Sequence, residues 1–218
     1  MLYLELAVIF FLLFLMFLVN KTVVSSVEKM SNPTGLIKRV TQIDDVAFIL
    51  KFNAYNDWAN QNGFVHECLF LSQVLLDGGS MQCSVWWNEE RAIWILLYHH
   101  KQRQVYDLVS GFKDNSVLTT ASSRDALTLP HVAQNRVQAF ENLTFDALLQ
   151  NHLIAQDLIK TITGQDVQSA KDEDIIRVIE IALAKQMAYV KTIPFWQYKG
   201  AFWYFISRNF LVNKPIKL

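Results

Sequence analysis

Residues 92–98 read AIWILLY, a run in which every side chain is apolar or aromatic. Successive side chains of a strand point to opposite faces, so this run predicts a strand that is apolar on both faces and lies at the centre of a sheet. Trp94 and Leu96 are predicted to share one face of that strand, and Ile95 and Leu97 the other. The domain is therefore expected to be built around this strand.

Shorter stretches on both sides of the central strand alternate between apolar and polar residues and are separated by polar turns. FVHECLFLSQ and MQCSVWW precede it, and VYDLVSGF and SVLTTAS follow it. Strands at such short intervals are typical of antiparallel pairing between chain neighbours. The pattern predicts an antiparallel β-meander of four to five strands.

A helical pattern precedes the meander. Apolar residues recur every three or four positions from Val46 to Trp58, which is the spacing of one helix face. Asp44 or Asp45 is the expected cap of this helix, and Gly63 its expected end, because glycine tolerates the left-handed conformation after a last turn.

Two further helices are predicted after the meander. Thr144 is the expected cap of the first, which ends at Gly164. The second is expected to begin near Ser169, with the acidic run 172–174 in its first turn, and to end before Pro194. Strands followed by helices predict an α+β domain over residues 44–194, with helices packed on one face of the sheet.

The amino-terminal segment is the most apolar part of the chain. Fourteen apolar residues follow one another from Leu6 to Val19, and Glu5 alone interrupts residues 1–19. At about 1.5 Å per residue these residues span roughly 28 Å, close to the thickness of a hydrocarbon core. Residues 1–4 lack the basic side chain of a secretory signal, and Val24-Ser25-Ser26 is a poor cleavage site. We predict an uncleaved transmembrane helix at residues 1–19.

The charges that flank this segment predict its orientation. No basic side chain precedes it, and four follow it closely: Lys21, Lys29, Lys38 and Arg39. Basic residues stay on the cytoplasmic side, so the amino terminus is expected outside and the domain in the cytoplasm, at the inner membrane of a bacterial cell. Residues 20–43, which contain Pro33 and Gly35, are interpreted as a juxtamembrane linker.

Composition narrows the class of partner. The chain has 20 basic and 20 acidic residues, which argues against a nucleic acid partner.

Cys68 and Cys83 have the spacing of neither a zinc site nor a redox motif, and in a reducing cytoplasm they are expected to be buried as small apolar residues. No cofactor motif is recognised, and no cofactor is expected.

The histidines give no convincing catalytic or metal site. His99 and His100 are adjacent in a strand and should point to opposite faces, so they are not expected to chelate one metal. Ser110 lacks the strand–turn–helix elbow of a hydrolase nucleophile. His152 lies in a helical apolar stripe and is expected to be half-buried. Catalytic residues are therefore unassigned. A membrane-tethered enzyme would be tested first at the following residues: His99, His100, Asp107 and His152.

The carboxyl-terminal segment, residues 195–218, combines aromatic and basic side chains. Eight aromatic residues lie between Pro194 and Pro215, and no acidic residue follows Glu180. Aromatic rings together with cations are typical of a bilayer interface. The predicted membrane-interface residues are Trp196, Tyr198, Lys199, Phe202, Trp203, Arg208 and Lys214. Completion of the domain core is an equally weighted alternative for this segment.

These features predict a single-pass membrane-anchored protein with a small cytoplasmic α+β domain. We expect a non-enzymatic interaction or accessory module at the inner membrane, whose partners are the lipid bilayer and a membrane protein. Two alternatives stay open. One is an assembly component of an envelope machine, and the other is a membrane-tethered enzyme with a cleft between the sheet and the helices.

Overall fold

A computed structural model of the chain describes residues 2–74, 79–101, 103–168 and 174–216. Its helices and strands are α1 (Leu2–Met30), β1 (Ile37–Val40), α2 (Val46–Gln61), β2 (Val65–Ser72), β3 (Met81–Asn88), β4 (Ile93–His100), β5 (Arg103–Gly111), β6 (Val117–Ala121), β7 (Asn135–Ala139), α3 (Phe145–Thr163) and α4 (Ile175–Thr192). A 3-10 turn, Arg124–Leu127, lies between β6 and β7. The chain ends in a 3-10 turn, Trp196–Tyr198, and in the C-terminal helix, residues 200–211, whose middle part is π-helical.

Within the described residues, seven strands form one sheet in the order β1-β2-β3-β4-β5-β6-β7. Every neighbouring pair is antiparallel except β6 and β7, which are parallel and joined by a crossover that contains the 3-10 turn. The α+β class is confirmed, but the predicted antiparallel meander of four to five strands is too small and misses the parallel pair. The short strands β1 (IKRV) and β7 (NRVQA) are too polar to be recognised from their sequences.

Helices α2 and α3 cover one side of the sheet, here called the first face, which carries Ile95 and Leu97 of β4. Ile95 lies opposite Trp86 of β3 and Leu108 of β5, and all three side chains are fully buried. Both helices begin at the predicted caps. The Asp45 carboxylate accepts a hydrogen bond from the backbone of Phe48, and the Thr144 hydroxyl accepts one from that of Ala147. These caps satisfy backbone donors that the first helical turn leaves free.

Helix α4 packs against the opposite side, the second face, which carries Trp94 and Leu96. The predicted distribution of β4 side chains between two faces is thus confirmed. The prediction that helices pack on one face is wrong, because the apolar side chains of β3 and β4 on the second face also require cover. Asp174 caps α4, and the predicted start near Ser169 lies outside the described residues.

Helix α1 has two halves with different surroundings. Among the described residues it is the one helix long and apolar enough to cross a membrane, and its apolar side chains are exposed as far as Leu18. Val23, Val27 and Met30, in contrast, are buried in a cluster with α4 and the C-terminal segment. The linker predicted for residues 20–43 therefore begins only after Met30, because tertiary packing keeps residues 20–30 helical.

Candidate functional site

A cavity of about 680 Å³ lies between the second face of the sheet and α4. Large side chains fill the space where α4 packs against β1–β4, among them Phe70 and Trp94. On β5–β7 the second face carries mainly short side chains, which leave the volume open. The valines of this floor are Val105, Val109, Val117 and Val137, and the facing wall of α4 includes Ile179 and Leu183.

Asp107 is the acidic group on the floor of this cavity. Along β5 it lies between Val105 and Val109, and across the sheet it lies opposite Leu96 and Ala121. Burial among these apolar side chains raises the pKa of the Asp107 carboxyl from its ordinary value of 3.8 to about 7. In the part of the chain that the structure describes, no side chain or backbone group donates a hydrogen bond to it. Asp107 is therefore a carboxyl that faces the cavity with no hydrogen-bond partner among the described residues.

Tyr98 of β4 lines the same cavity, diagonally across the strands from Asp107. Burial raises the pKa of its phenol well above the ordinary value, and the charge of Asp107 raises it further. Tyr98 therefore stays a neutral phenol that can donate or accept a hydrogen bond. A carboxyl and a phenol are thus presented together on an otherwise apolar floor.

Three other polar side chains that line the cavity, His131, Gln186 and Asp125, are held by protein partners. His131 Nε2 lies 2.9 Å from the Ala126 carbonyl oxygen, and Gln186 Nε2 lies 3.0 Å from His131 Nδ1. The carbonyl requires a proton on Nε2, which assigns the tautomer. Burial lowers the pKa of His131, so this ring is neutral. The Asp125 carboxylate accepts a hydrogen bond from Arg208 at 2.6 Å.

A second polar cluster is buried between α3 and the first face. His152 Nε2 lies 2.9 Å from Ser110 Oγ, and His152 Nδ1 lies 2.8 Å from Thr120 Oγ1. Gln156 donates to the Ser110 hydroxyl, which itself donates to the Ala92 carbonyl. All of these side chains are buried, and burial lowers the pKa of His152 to about 3. His152 is fully buried, not half-buried as predicted, and joins α3 to the sheet as a neutral ring.

The four residues named for a tethered enzyme do not form a common site. His99 lies on the first face beside the Phe48 ring, and His100 lines the cavity on the second face with its Nδ1 3.2 Å from the Ser80 carbonyl oxygen. Asp107 also lies on the second face, whereas His152 lies on the first. The expected opposite orientation of the two adjacent histidines is confirmed.

The cysteines are buried in the core of the second face and both are free thiols. Burial raises the pKa of Cys68 to about 11 and that of Cys83 well above its ordinary value. Both thiols are therefore protonated at neutral pH and are weak nucleophiles. They act as small apolar residues, as the sequence predicts.

The predicted membrane-interface residues divide into two groups. Trp196 and Trp203 are only 6% and 5% exposed and pack against α1 and α4, so they belong to the core. Arg208 pairs with Asp125, and its guanidinium lies 3.5 Å from the centre of the Tyr204 ring. For these three residues the packing corresponds to the second alternative, completion of the core, because an aromatic-rich segment supplies core side chains as well as surface ones.

The second group is available at the surface. Tyr198 is 77% exposed and Phe202 is 52% exposed. Lys199 is half-buried, and Lys214 is exposed beside the Phe210 ring. Tyr198, Lys199 and Phe202 lie near the place where the C-terminal helix crosses α1, since the Asn20 side chain accepts a hydrogen bond from the Ala201 backbone at 2.8 Å.

Sequence reasoning placed Asp107 among possible catalytic residues and did not find Tyr98 or the cavity. The available signal was the order Val105-Tyr106-Asp107-Leu108-Val109, in which an acidic residue occupies a position flanked by valines on the same strand face. The cavity volume depends on where α4 packs and has no local signature. No protein-family model, curated protein or solved structure matches this chain.

Proposed function

We propose that this chain is a single-pass membrane protein whose α+β domain is held at the cytoplasmic surface of a bacterial inner membrane and acts as a non-enzymatic interaction module. The observation that carries this proposal is the division of α1. Its first half exposes a continuous apolar surface, which a soluble helix would have to bury, whereas its second half belongs to the domain core.

The packing of α1 also supports an anchor that is not cleaved. The weak cleavage motif Val24-Ser25-Ser26 lies inside the helix, and the Ser26 hydroxyl donates to the Thr22 carbonyl at 2.9 Å. Cleavage there would remove Val23 from the core cluster and separate Val27 from the rest of the helix. An intact α1 is therefore required by the domain itself.

The exposed face of the C-terminal segment supports contact with the bilayer surface. Tyr198, Phe202, Ile206 and Phe210 recur every four residues and are all exposed. The same helix contacts α1 at Asn20, immediately after the exposed apolar run. Aromatic and apolar side chains at this level are suited to the headgroup region, and Lys21 adds a cation for anionic lipid.

Membrane fractionation tests the anchor. The full chain should stay in the membrane pellet after carbonate and high-salt washes, and its mature amino terminus should remain upstream of Val27. A matched variant that carries Lys at Leu12 and at Leu15 should lose membrane retention, because each central charge disfavours insertion by roughly 3 kcal/mol. Release of the unaltered chain by carbonate would refute the anchor, and a reporter after Leu218 that behaves as exported would refute the orientation.

A nitroxide label tests contact between the C-terminal segment and lipid. Cysteine introduced at Phe202 should give a label that is shielded from water-soluble relaxation agents in bilayers. Cysteine at Ile154, which is 66% exposed on α3, serves as the control and should stay accessible. The natural thiols should not interfere, because both are buried. Equal accessibility at the two positions would show that this segment does not touch the bilayer.

A further inference from the structure

The cavity between α4 and the second face is too large to be a packing defect. Protein interiors are packed as densely as organic crystals, and their voids seldom exceed the size of a water molecule. A volume of about 680 Å³ falls within the roughly 300–1,000 Å³ that small-molecule sites occupy. Its floor and wall are mainly aliphatic, which favours a ligand with an apolar body.

Asp107 supplies the polar contact that such a ligand requires. The half-buried Asp107 carboxyl faces the cavity and has no hydrogen-bond donor among the residues that the structure describes. The nearby Tyr98 phenol is likewise not hydrogen-bonded within the described residues. An acceptor that is left open inside an apolar cavity calls for a donor on the ligand.

The other ionisable side chains that line the cavity do not supply this donor to the Asp107 carboxyl. Asp125 is paired with Arg208, His131 is held between Ala126 and Gln186, and His100 contacts the Ser80 carbonyl. Arg103 is exposed at the start of β5, four residues from Asp107. That separation is roughly 13 Å along a strand, and burial, with no cation nearby in the described part of the chain, accounts for the raised pKa of the Asp107 carboxyl.

The position of the cavity relative to α1 indicates where the ligand comes from. Val23 and Ser26 of α1 line the cavity, as does Tyr204 of the C-terminal helix. Val23 follows Leu18, at the end of the exposed apolar run, by five residues, or roughly 8 Å along the helix axis. The cavity thus lies beside the point at which α1 would leave the bilayer.

We propose that this cavity binds one amphiphilic molecule taken from the bilayer, with its apolar body against the valines of β5–β7 and a hydroxyl or amine donor on the Asp107 carboxyl. The site of binding is independent of the proposed anchor, whereas the bilayer as the source rests on it. The domain proposed above as an interaction module would then have a lipid or another amphiphile as its ligand.

Photoreactive probes test this proposal on the full chain in nanodiscs. Three twelve-carbon probes carry the same diazirine and differ only in their head: an alcohol, a primary amine and a carboxylate. The alcohol and the amine should label peptides of β5 and α4, mapped by mass spectrometry. At pH 8, where the Asp107 carboxyl is ionised, the carboxylate should label them about tenfold less, because it brings no donor and repels Asp107. Equal labelling by the carboxylate would overturn the role of Asp107.

Variants separate binding in the cavity from partition into the bilayer. Asp107→Leu should reduce alcohol and amine labelling of β5 by about tenfold. Ala182→Trp fills the cavity and should abolish labelling of β5 by every probe. Ile181→Trp, at the neighbouring position that is 45% exposed, is the matched control and should change nothing. The thermal transition of each variant checks that it folds.

Two patterns would refute the proposal or limit it. Labelling confined to residues 3–18 and the C-terminal helix would show that the probes reach only the bilayer-facing surface, and the ligand site would be excluded. If carbonate releases the chain from membranes, the anchor is refuted. If the probes still label β5 of that released chain in detergent-free solution, the ligand site is supported. The failure of one proposal is thus distinguished from the failure of the other.

Discussion

Gly200 of the C-terminal helix lies so close to Val23 of α1 that a β-carbon at position 200 would meet the Val23 β-carbon at 2.8 Å. The same added atom would lie 3.0 Å from the Asn20 side-chain oxygen. A glycine at this crossing allows the two helices to approach, and the approach buries Trp196 and Trp203 beside α1. The contact joins the last helix of the chain to the first.

Replacement of Gly200 by Ala should therefore destabilise the domain. The new methyl group overpacks a contact between two helices, and overpacking typically costs about 1–3 kcal/mol. Urea unfolding of the full chain in detergent measures the loss. Gly111→Ala is the control, because the space around that position is open. Equal midpoints for both variants would show that the crossing is loose.

Leu96→Ala should be among the most damaging single changes in the sheet. Leu96 is 1% exposed at the centre of the second face, and removal of a buried leucine side chain costs about 2–5 kcal/mol. Leu50→Ala makes the same chemical change on α2 at a position that is 66% exposed, and it should cost less than about 0.5 kcal/mol. Similar unfolding free energies for the two variants would contradict the central position of β4.

Asp107 should make stability fall as the pH rises. Its pKa is raised to about 7 by burial, so the folded chain retains a proton that the unfolded chain has already released above pH 3.8. Stability is therefore lost between about pH 4 and pH 7 and is constant above that range. Asp107→Asn should be more stable than the unaltered chain at pH 8, by on the order of 2–4 kcal/mol, and similar to it at pH 4.

Comparison of the two chains at each pH isolates this effect. The depressed pKa values of His66 and His131 act in the opposite direction, but they are common to both chains and cancel in the difference. The measurement is the difference in urea midpoint at pH 4, 6 and 8. A difference that does not change with pH would mean that burial does not raise the pKa of Asp107 in the folded chain.

His152 should contribute stability that is lost on acidification. Its pKa is lowered to about 3, so the unfolded chain takes up a proton below its ordinary value of 6.5 while the folded chain does not. His152→Gln should cost about 1–3 kcal/mol at pH 7, through the lost hydrogen bonds to Ser110 and Thr120. At pH 5 that cost should be smaller by about 2 kcal/mol. The unaltered chain is itself less stable at that pH, because its unfolded state takes up a proton on His152 and its folded state does not.

The same pair gives a test against hydrolytic chemistry. Ser110 and His152 are within hydrogen-bond distance, but neither side chain has access to solvent. A fluorophosphonate should therefore leave Ser110 unmodified in the folded chain. Modification of Ser110 would return the tethered enzyme to consideration, and a pH-independent effect of His152→Gln would show that the pKa of His152 is not lowered.

Patterns among neighbouring residues predicted the helix caps and the two faces of the central strand. The caps at Asp45 and Thr144 follow from side-chain acceptors at helix starts, and the two faces of β4 follow from the alternation of strand side chains. The parallel position of β7 could not be predicted in this way, because a polar strand is recognised only by the neighbour with which it pairs.

The predictions that failed concern contacts between distant parts of the chain. Pro33 and Gly35 indicate a linker over residues 20–43, yet residues 20–30 stay helical because Trp196 and Trp203 pack against them. From sequence alone, the burial of these two tryptophans cannot be told from membrane contact, since both environments favour aromatic rings. The cavity likewise depends on the place where α4 packs across the sheet.

Helix α1 runs without a break from its exposed half into the domain core, so a change in the tilt of the exposed half would be transmitted to the domain. Residues 20–30 extend roughly 15 Å into the domain, held by the Gly200 contact and by the Glu28–Lys191 ion pair. A bilayer that becomes thinner or thicker changes the tilt of a spanning helix. If α1 spans the bilayer as proposed, such a change would rotate the sheet with it, because α1 is one continuous helix from Leu2 to Met30. The orientation of the domain would then report the thickness of the surrounding lipid.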